Sequence, residues 1–315
     1  MSYQQVKTPK FYINTLEWLN FSGQQDFLPN IYRTLPVNQV TASEFGSGSN
    51  YDAGNINTHG MLNDKSFVAF LGTEGSFKAK INSTTEIITI SGGGLVNCSA
   101  SFQDEGYNGF ILGAFDGSTT NLFELYSQNS DNKLGSCVVG TYYDMPHSPD
   151  LNLTMTREYG GTKTIETKGG STISNTYWNK APNWGDLPAW GLISGDGVEG
   201  FKSLSTSGRR TWDLSFSYLD EQNVFPEISS LTNLGYDGSF VDGRDKALLN
   251  ESANSNFFTE VIHKTGGGAL PFIFNPSGEN NPDDYAIAKF DQDSFQFKQV
   301  ANGVYSIKLK IREVW

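Results

Sequence analysis

Residues 295–315, FQFKQVANGVYSIKLKIREVW, decide the fold class. Phe295 and Phe297 alternate with polar neighbours, and Asn302-Gly303 supplies a pair that accepts left-handed backbone. Beyond it Tyr305, Ile307, Leu309 and Ile311 alternate with Ser306, Lys308, Lys310 and Arg312. A period of two sends one set of side chains to a core and the other to water. Two such runs around Asn-Gly predict a long terminal hairpin. The same period recurs upstream, where Trp212, Leu214, Phe216 and Tyr218 alternate with Asp213, Ser215 and Ser217, the pattern of a strand with one buried and one wet face.

Further towards the N-terminus, Leu151, Leu153 and Met155 alternate with polar residues. YGGT at 159–162 predicts a turn and KTIET at 163–167 the returning strand. One helix is expected, near 255–264. Ser255 is the candidate N-cap, Phe257, Phe258, Val261 and Ile262 share a face, and KTGGG ends it. The first half is a series of short apolar runs, among them FVAFL (67–71), EIITI (86–90), FILGAF (110–115), LFELY (122–126) and CVVGTYY (137–143). Gly-, Asn- and Asp-rich turns separate them, as in a sandwich or jelly roll. Residues 45–60, FGSGSNYDAGNINTHG, are poor in apolar side chains and are expected to form a long exposed loop. The reading is all-β, mainly antiparallel β-sandwiches. Residues 1–143 form a jelly-roll-like domain, and residues 144–315 a second sandwich with one flanking helix.

Composition narrows the function. A net charge of -12 disfavours nucleic acid and anionic membrane surfaces as partners, because both are held by clustered Lys and Arg. Met1–Leu19 lacks a basic segment followed by an unbroken apolar stretch, so no export signal is expected, and no window approaches the length of a membrane span. Cys98 and Cys137 are the only cysteines, too few for a disulfide framework or a cysteine zinc site, and both are expected as buried thiols.

The segment YYDMPHSPDL, residues 142–151, carries Asp144, His147 and Asp150 at a spacing of three between two prolines. Polyproline geometry can project all three to one side, as metal ligands. The competing reading is a stiff corner in which the aspartates cap backbone amides. His59 and His263 have no nucleophile motif beside them. Gly92–Gly94 and Gly266–Gly268 lack the Lys-Ser/Thr pair of a phosphate loop and are expected as bends or terminators. Asp283-Asp284 and the Asp291/Asp293 pair are expected as solvated surface. No two acids can be assigned to a common cleft, so a polysaccharide-degrading enzyme is disfavoured. Trp178, Trp184 and Trp190 recur every six residues. They suit a sugar-stacking platform, packing within the chain, or a subunit interface.

The succession DMPHSPDLNLTMTREYGGTKTIETKGGSTISN, GRRTWDLSFSYL, NFFTEVIHKTGGGALPFIFNP and YAIAKFDQDSFQFKQVANGVYSIKLKIREVW, within residues 144–315, resembles virion structural proteins of tailed bacteriophages. It is closest in kind to minor tail, distal-tail and baseplate-type proteins of contractile-tailed phages of marine cyanobacteria. Residues 1–143 share no such pattern. The resemblance implies a tail-tube-like sandwich and a non-enzymatic protein without cofactor, made in the host cytoplasm and located in the virion tail or baseplate. Its implied partners are copies of itself in a ring, commonly sixfold, and other tail or baseplate proteins. The interface candidates are then Trp178, Trp184, Trp190, Arg209, Arg210 and Trp315. The alternative is a glycan-binding receptor or adhesin that uses the N-terminal sandwich or the Trp-rich loop on a surface glycan.

Overall fold

The computed structural model describes residues 6–23, 28–34, 39–45, 51–73, 75, 77–82, 85–91, 94–95, 110–118, 122–178, 183–184, 187–188, 209–225, 256–279 and 284–314. The chain is all-β, as its alternating runs require, and is built on a ten-stranded antiparallel sheet. In chain order the strands are β1 (Lys10–Asn14), β2 (Ser66–Leu71), β3 (Ile111–Phe115), β4 (Ser136–Asp144) and β5 (Thr154–Glu158). They continue with β6 (Arg209–Asp220), β7 (Phe272–Asn275), β8 (Ala286–Phe290), β9 (Phe297–Ala301) and β10 (Val304–Glu313). Across the sheet the order is β5-β6-β10-β8-β7-β1-β4-β2-β3, with β9 also paired to β10.

The first strand is the central connector. Lys10–Asn14 pairs with Asp144–Gly140 of β4 on one side, and Lys10–Tyr12 with Asn275–Ile273 of β7 on the other. The expected domain boundary at 143/144 therefore falls inside β4, and one sheet crosses both halves. Where β1 turns into helix α1 (Thr15–Phe21), Gly140 is opposite Asn14. A Cβ at Gly140 would stand 1.8 Å from the Ile13 carbonyl oxygen, so the crossing tolerates no side chain there. Asn14 caps α1 by accepting from the Glu17 N–H, and its amide donates to the Tyr32 carbonyl at 2.8 Å.

Alternation along β4 separates the cores. Cys137 and Val139 enter a core shared with a second antiparallel sheet, in which Tyr51–Asn57, Leu122–Ser127, Phe77–Ile81, Thr85–Ser91 and Gly94–Leu95 are neighbours in that order. Val68 and Phe70 meet Phe77, Phe123 and Leu125 there, which makes this end a sandwich. Two pairs further along the same face of β4, Tyr143 belongs to a second core, where Phe11, Trp212, Phe216, Phe272, Phe274 and Ile311 pack under Phe257 and Val261 of the helix. Phe11 alone has the rings of Phe257, Phe272 and Phe274 within 5.6 Å. Val138, on the opposite face, joins Tyr12, Phe67, Leu112 and Tyr285 in a third core.

The terminal hairpin forms as its pattern requires, β9 and β10 turning at Asn302-Gly303 with Gly303 at φ 67°. Other expectations need correction. Tyr51–Asn57, expected within a loop, is a strand paired with Leu122–Ser127, with Ile56 buried in the core and Ala53 packed against it. The hairpin read around YGGT closes elsewhere. Thr154–Glu158 pairs with β6, while Gly160–Glu166 pairs with Thr172–Trp178 across Lys168-Gly169-Gly170. The alternation of β6 breaks at a bulge between Phe216 and Leu219, which buries Leu219 and leaves Tyr218 outside at φ 61°. The helix spans Phe258–His263 with π-type hydrogen bonding, and its N-terminal cap is Asn256, whose side chain accepts from the Thr259 N–H. Ser255 lies outside the described residues. Gly266–Gly268 all have positive φ and end this helix.

Candidate assembly surface

The most exposed regular element is the two-stranded arm that follows β5. Thr and Ile, β-branched, favour extended backbone, and the Gly-Gly pair closes the turn, with the Gly170 N–H donating to the Thr167 carbonyl at 2.9 Å. Every position from Gly160↔Trp178 to Glu166↔Thr172 is in register. Cross-strand partners share a face, so Thr162, Thr164, Ser174 and Thr176 line one side, where their hydroxyls pair at 3.0 and 3.2 Å. Lys163, Ile165, Ile173 and Asn175 line the other. Ile165 and Ile173, directly opposite one another, are 57% and 58% exposed. Among the described residues the arm pairs with no other strand. An isolated two-stranded ribbon is marginal in water, and this one spends its apolar face on solvent.

A second exposed apolar spot stands beyond the opposite end of β5. The Asp150 N–H donates to the Ser215 carbonyl at 2.7 Å, and the Ser217 hydroxyl donates to the Asp150 carboxylate at 2.8 Å. These bonds tie the segment ending at Asp150 to β6; Leu151, next after Asp150, is fully exposed, and Tyr218, next after Ser217, is 79% exposed. A tyrosine at φ 61° stores backbone strain, and its side chain gains no burial within the chain in return.

The residues of the 144–150 corner are held apart by separate partners. Asp144 pairs with Lys10 at 3.4 Å and Lys65 at 3.1 Å. His147 packs its ring on Phe216, and Asp150 accepts from Ser217. No group of three metal-ligating side chains exists among the described residues. The corner works as a brace, with Met145 buried and its N–H donating to the Pro9 carbonyl.

Arg210, expected at an interface, is instead buried. Its Nε and Nη2 donate to Glu313 Oε1 at 2.9 and 2.7 Å, its backbone N–H to Oε2 at 2.8 Å, and its Nη2 also to the Tyr285 carbonyl. Neighbouring Arg209 is half-buried. Trp178 and Trp184 fall in strands, Trp184 pairing with Leu187, while Trp190 and Trp315 lie outside the described residues. A second buried ion pair, Lys264–Glu260 at 2.8 Å, meets the Thr141 hydroxyl and ties the helix to β4. Both side chains are sealed from solvent, so neither can reach a substrate.

The described groups whose titration burial displaces belong to the packing. Burial pushes the Cys137 thiol up. Burial, then Tyr285, pushes the Tyr12 hydroxyl up. His263, against the Trp18 ring, is held below the usual histidine range by burial and by Lys264. Asp291 pairs with Lys310, and buried Asp284 accepts from the Ser277 hydroxyl. Asp283 and Cys98 lie outside the described residues. The arm's exposed isoleucines escaped the sequence reading because the turn was assigned one strand too early. TKGGST, between two Thr- and Ile-bearing runs, was the available signal.

No helix of the described residues is long and apolar enough to cross a membrane. No family model, curated protein or solved structure matches the chain.

Proposed function

We propose that the chain is a non-enzymatic structural protein of a phage virion, in the tail or baseplate, and that it works by assembling with copies of itself and with neighbouring tail proteins. The resemblance of residues 144–315 supplies the virion setting. The observation that carries the assembly reading is the arm, whose strand residues at 160–166 and 172–176 are exposed on both faces, with Ile165 and Ile173 in water. A ribbon with an exposed apolar face gains from standing open only if something else covers it.

Light scattering and negative-stain imaging of the purified chain test this. The expected result is a ring or a concentration-dependent oligomer. Trimming the arm to the Gly160 and Trp178 ends, joined by an Asn-Gly turn, should return it to a monomer. Antibodies to the chain should decorate tails of the phage that encodes it. Undecorated tails would remove the virion reading, and an assembly indifferent to the trimmed arm would remove the arm from it.

A further inference from the structure

We infer that the arm of one copy docks, by its isoleucine face, on the Leu151–Tyr218 spot of a second copy, in a head-to-tail contact. The inference rests on the assembly reading and names the surface it uses. The arm leaves the body at the Glu158 end of β5, while Leu151 precedes the Thr154 end. Donor and acceptor therefore lie at opposite ends of a strand about 17 Å long. Among the described residues, nothing of the chain's own body covers the arm's isoleucine face.

Charge favours a second copy as the occupant. Residues 160–178 hold Lys163 and Lys168 against Glu166, a net +1, in a chain of net -12, so the remainder carries -13. At the acceptor, Asp150, exposed Asp220 and exposed Glu221 outnumber Lys298 and Lys308 of the neighbouring strands. Two bodies repel one another, whereas an arm and a body attract. Each side offers exposed apolar side chains: the paired Ile165 and Ile173 on the arm, and Leu151 and Tyr218 on the segments joined through Asp150 at the acceptor. Burial of the Tyr218 side chain at the contact offsets part of the cost of its positive φ, which the free chain carries without return. A donor and an acceptor on different faces make a heterologous contact, which closes into a ring or runs on as a filament.

The test is sedimentation of the full chain and of variants that leave the fold intact. Ile165→Asp with Ile173→Asp disables the donor, and Leu151→Asp disables the acceptor. Tyr218→Gly also disables the acceptor while relieving the positive φ, so its loss of assembly cannot come from unfolding. Each variant should assemble at least tenfold more weakly than the parent. Donor-disabled and acceptor-disabled chains, mixed, should form one-to-one dimers and nothing larger, because only one intact contact remains. Wild-type oligomers that persist in Leu151→Asp and Tyr218→Gly, or a mixture that yields no dimer, would overturn the contact and leave self-assembly standing. A wild-type chain that stays monomeric at all concentrations would overturn both.

Discussion

Glu313→Gln should be among the most damaging single substitutions in this protein. Glu313 is 0% exposed and takes three hydrogen bonds from Arg210, itself 4% exposed. Gln keeps the shape and can still accept the Arg210 backbone N–H, but it removes the charge opposite a guanidinium that cannot lose its proton. Arg157, in register with Arg210, already has its pKa lowered by burial and then by Arg210, so Glu313 offsets more than one cation. Breaking a buried pair by removing one partner costs about 3–5 kcal/mol. For 315 residues, an unfolding entropy of about 2.1 cal/mol/K per residue gives about 0.66 kcal/mol/K, so Tm should fall by roughly 5–8 °C. Adding Arg210→Met should recover most of that loss, since no unpaired charge at that position is then buried. Scanning calorimetry of the wild type, both single variants and the double variant closes the cycle. A Glu313→Gln shift under about 2 °C, or a double variant no better than the single, would refute the reasoning.

Three further outcomes follow from the packing. Gly140→Ala must displace the Ile13 carbonyl, which is backbone and cannot rotate away, so the loss should reach the top of the roughly 1–3 kcal/mol range for overpacking; a denaturation midpoint within error of wild type would contradict it. His263 is held below its unfolded pKa, so the unfolded chain binds more protons and stability falls as pH drops through the unfolded value of about 6.5. His263→Gln should flatten the decline in urea midpoint between pH 7.5 and 5.5, and an unchanged slope would count against it. Cys137, buried with its thiol pKa raised, should label with a maleimide at neutral pH only after denaturant is added; if every cysteine labels in the native chain, the burial is wrong.

Strand character was legible wherever a wet face alternates with a dry one. Tyr305 to Arg312 reads this way because β10 keeps Lys308 and Lys310 in water while Ile307, Leu309 and Ile311 are buried. Tyr51–Asn57 was illegible because its core contacts, Ala53 and Ile56, are three residues apart across a bulge between Asp52 and Asn55 that breaks the period of two. The place of β1 was out of reach for a different reason. Lys10–Asn14 was not read as a strand, and its pairing with β4 and β7, each more than a hundred residues away, is set by the fit of Gly140 and the aromatic cluster around Phe11. Arg210 shows the same limit at a single side chain, since a charged residue in an alternating strand looks exposed until its partner at Glu313 is seen. The corner at 144–150 was open to two readings, and Lys10 and Lys65, remote in sequence, supply the partners that make it a brace.

The arm and the body differ in what holds them, and that difference is the case for assembly. The body is locked by three cores and two sealed ion pairs, each bridging segments that a local opening would have to separate. The arm has cross-strand hydrogen bonds and almost no burial, and it hangs on Gly160 and Gly161, both at positive φ. Its local stability must therefore lie at the low end for this molecule. Such an element is ordered most cheaply by contact with a surface, and a partner that covers Ile165 and Ile173 would stabilise the arm and the interface together. On the proposed assembly reading, a rigid body that presents a weakly held, apolar-faced ribbon can search for a neighbour without changing its own fold, and the neighbour's surface would cover the isoleucine face that the chain alone leaves in water.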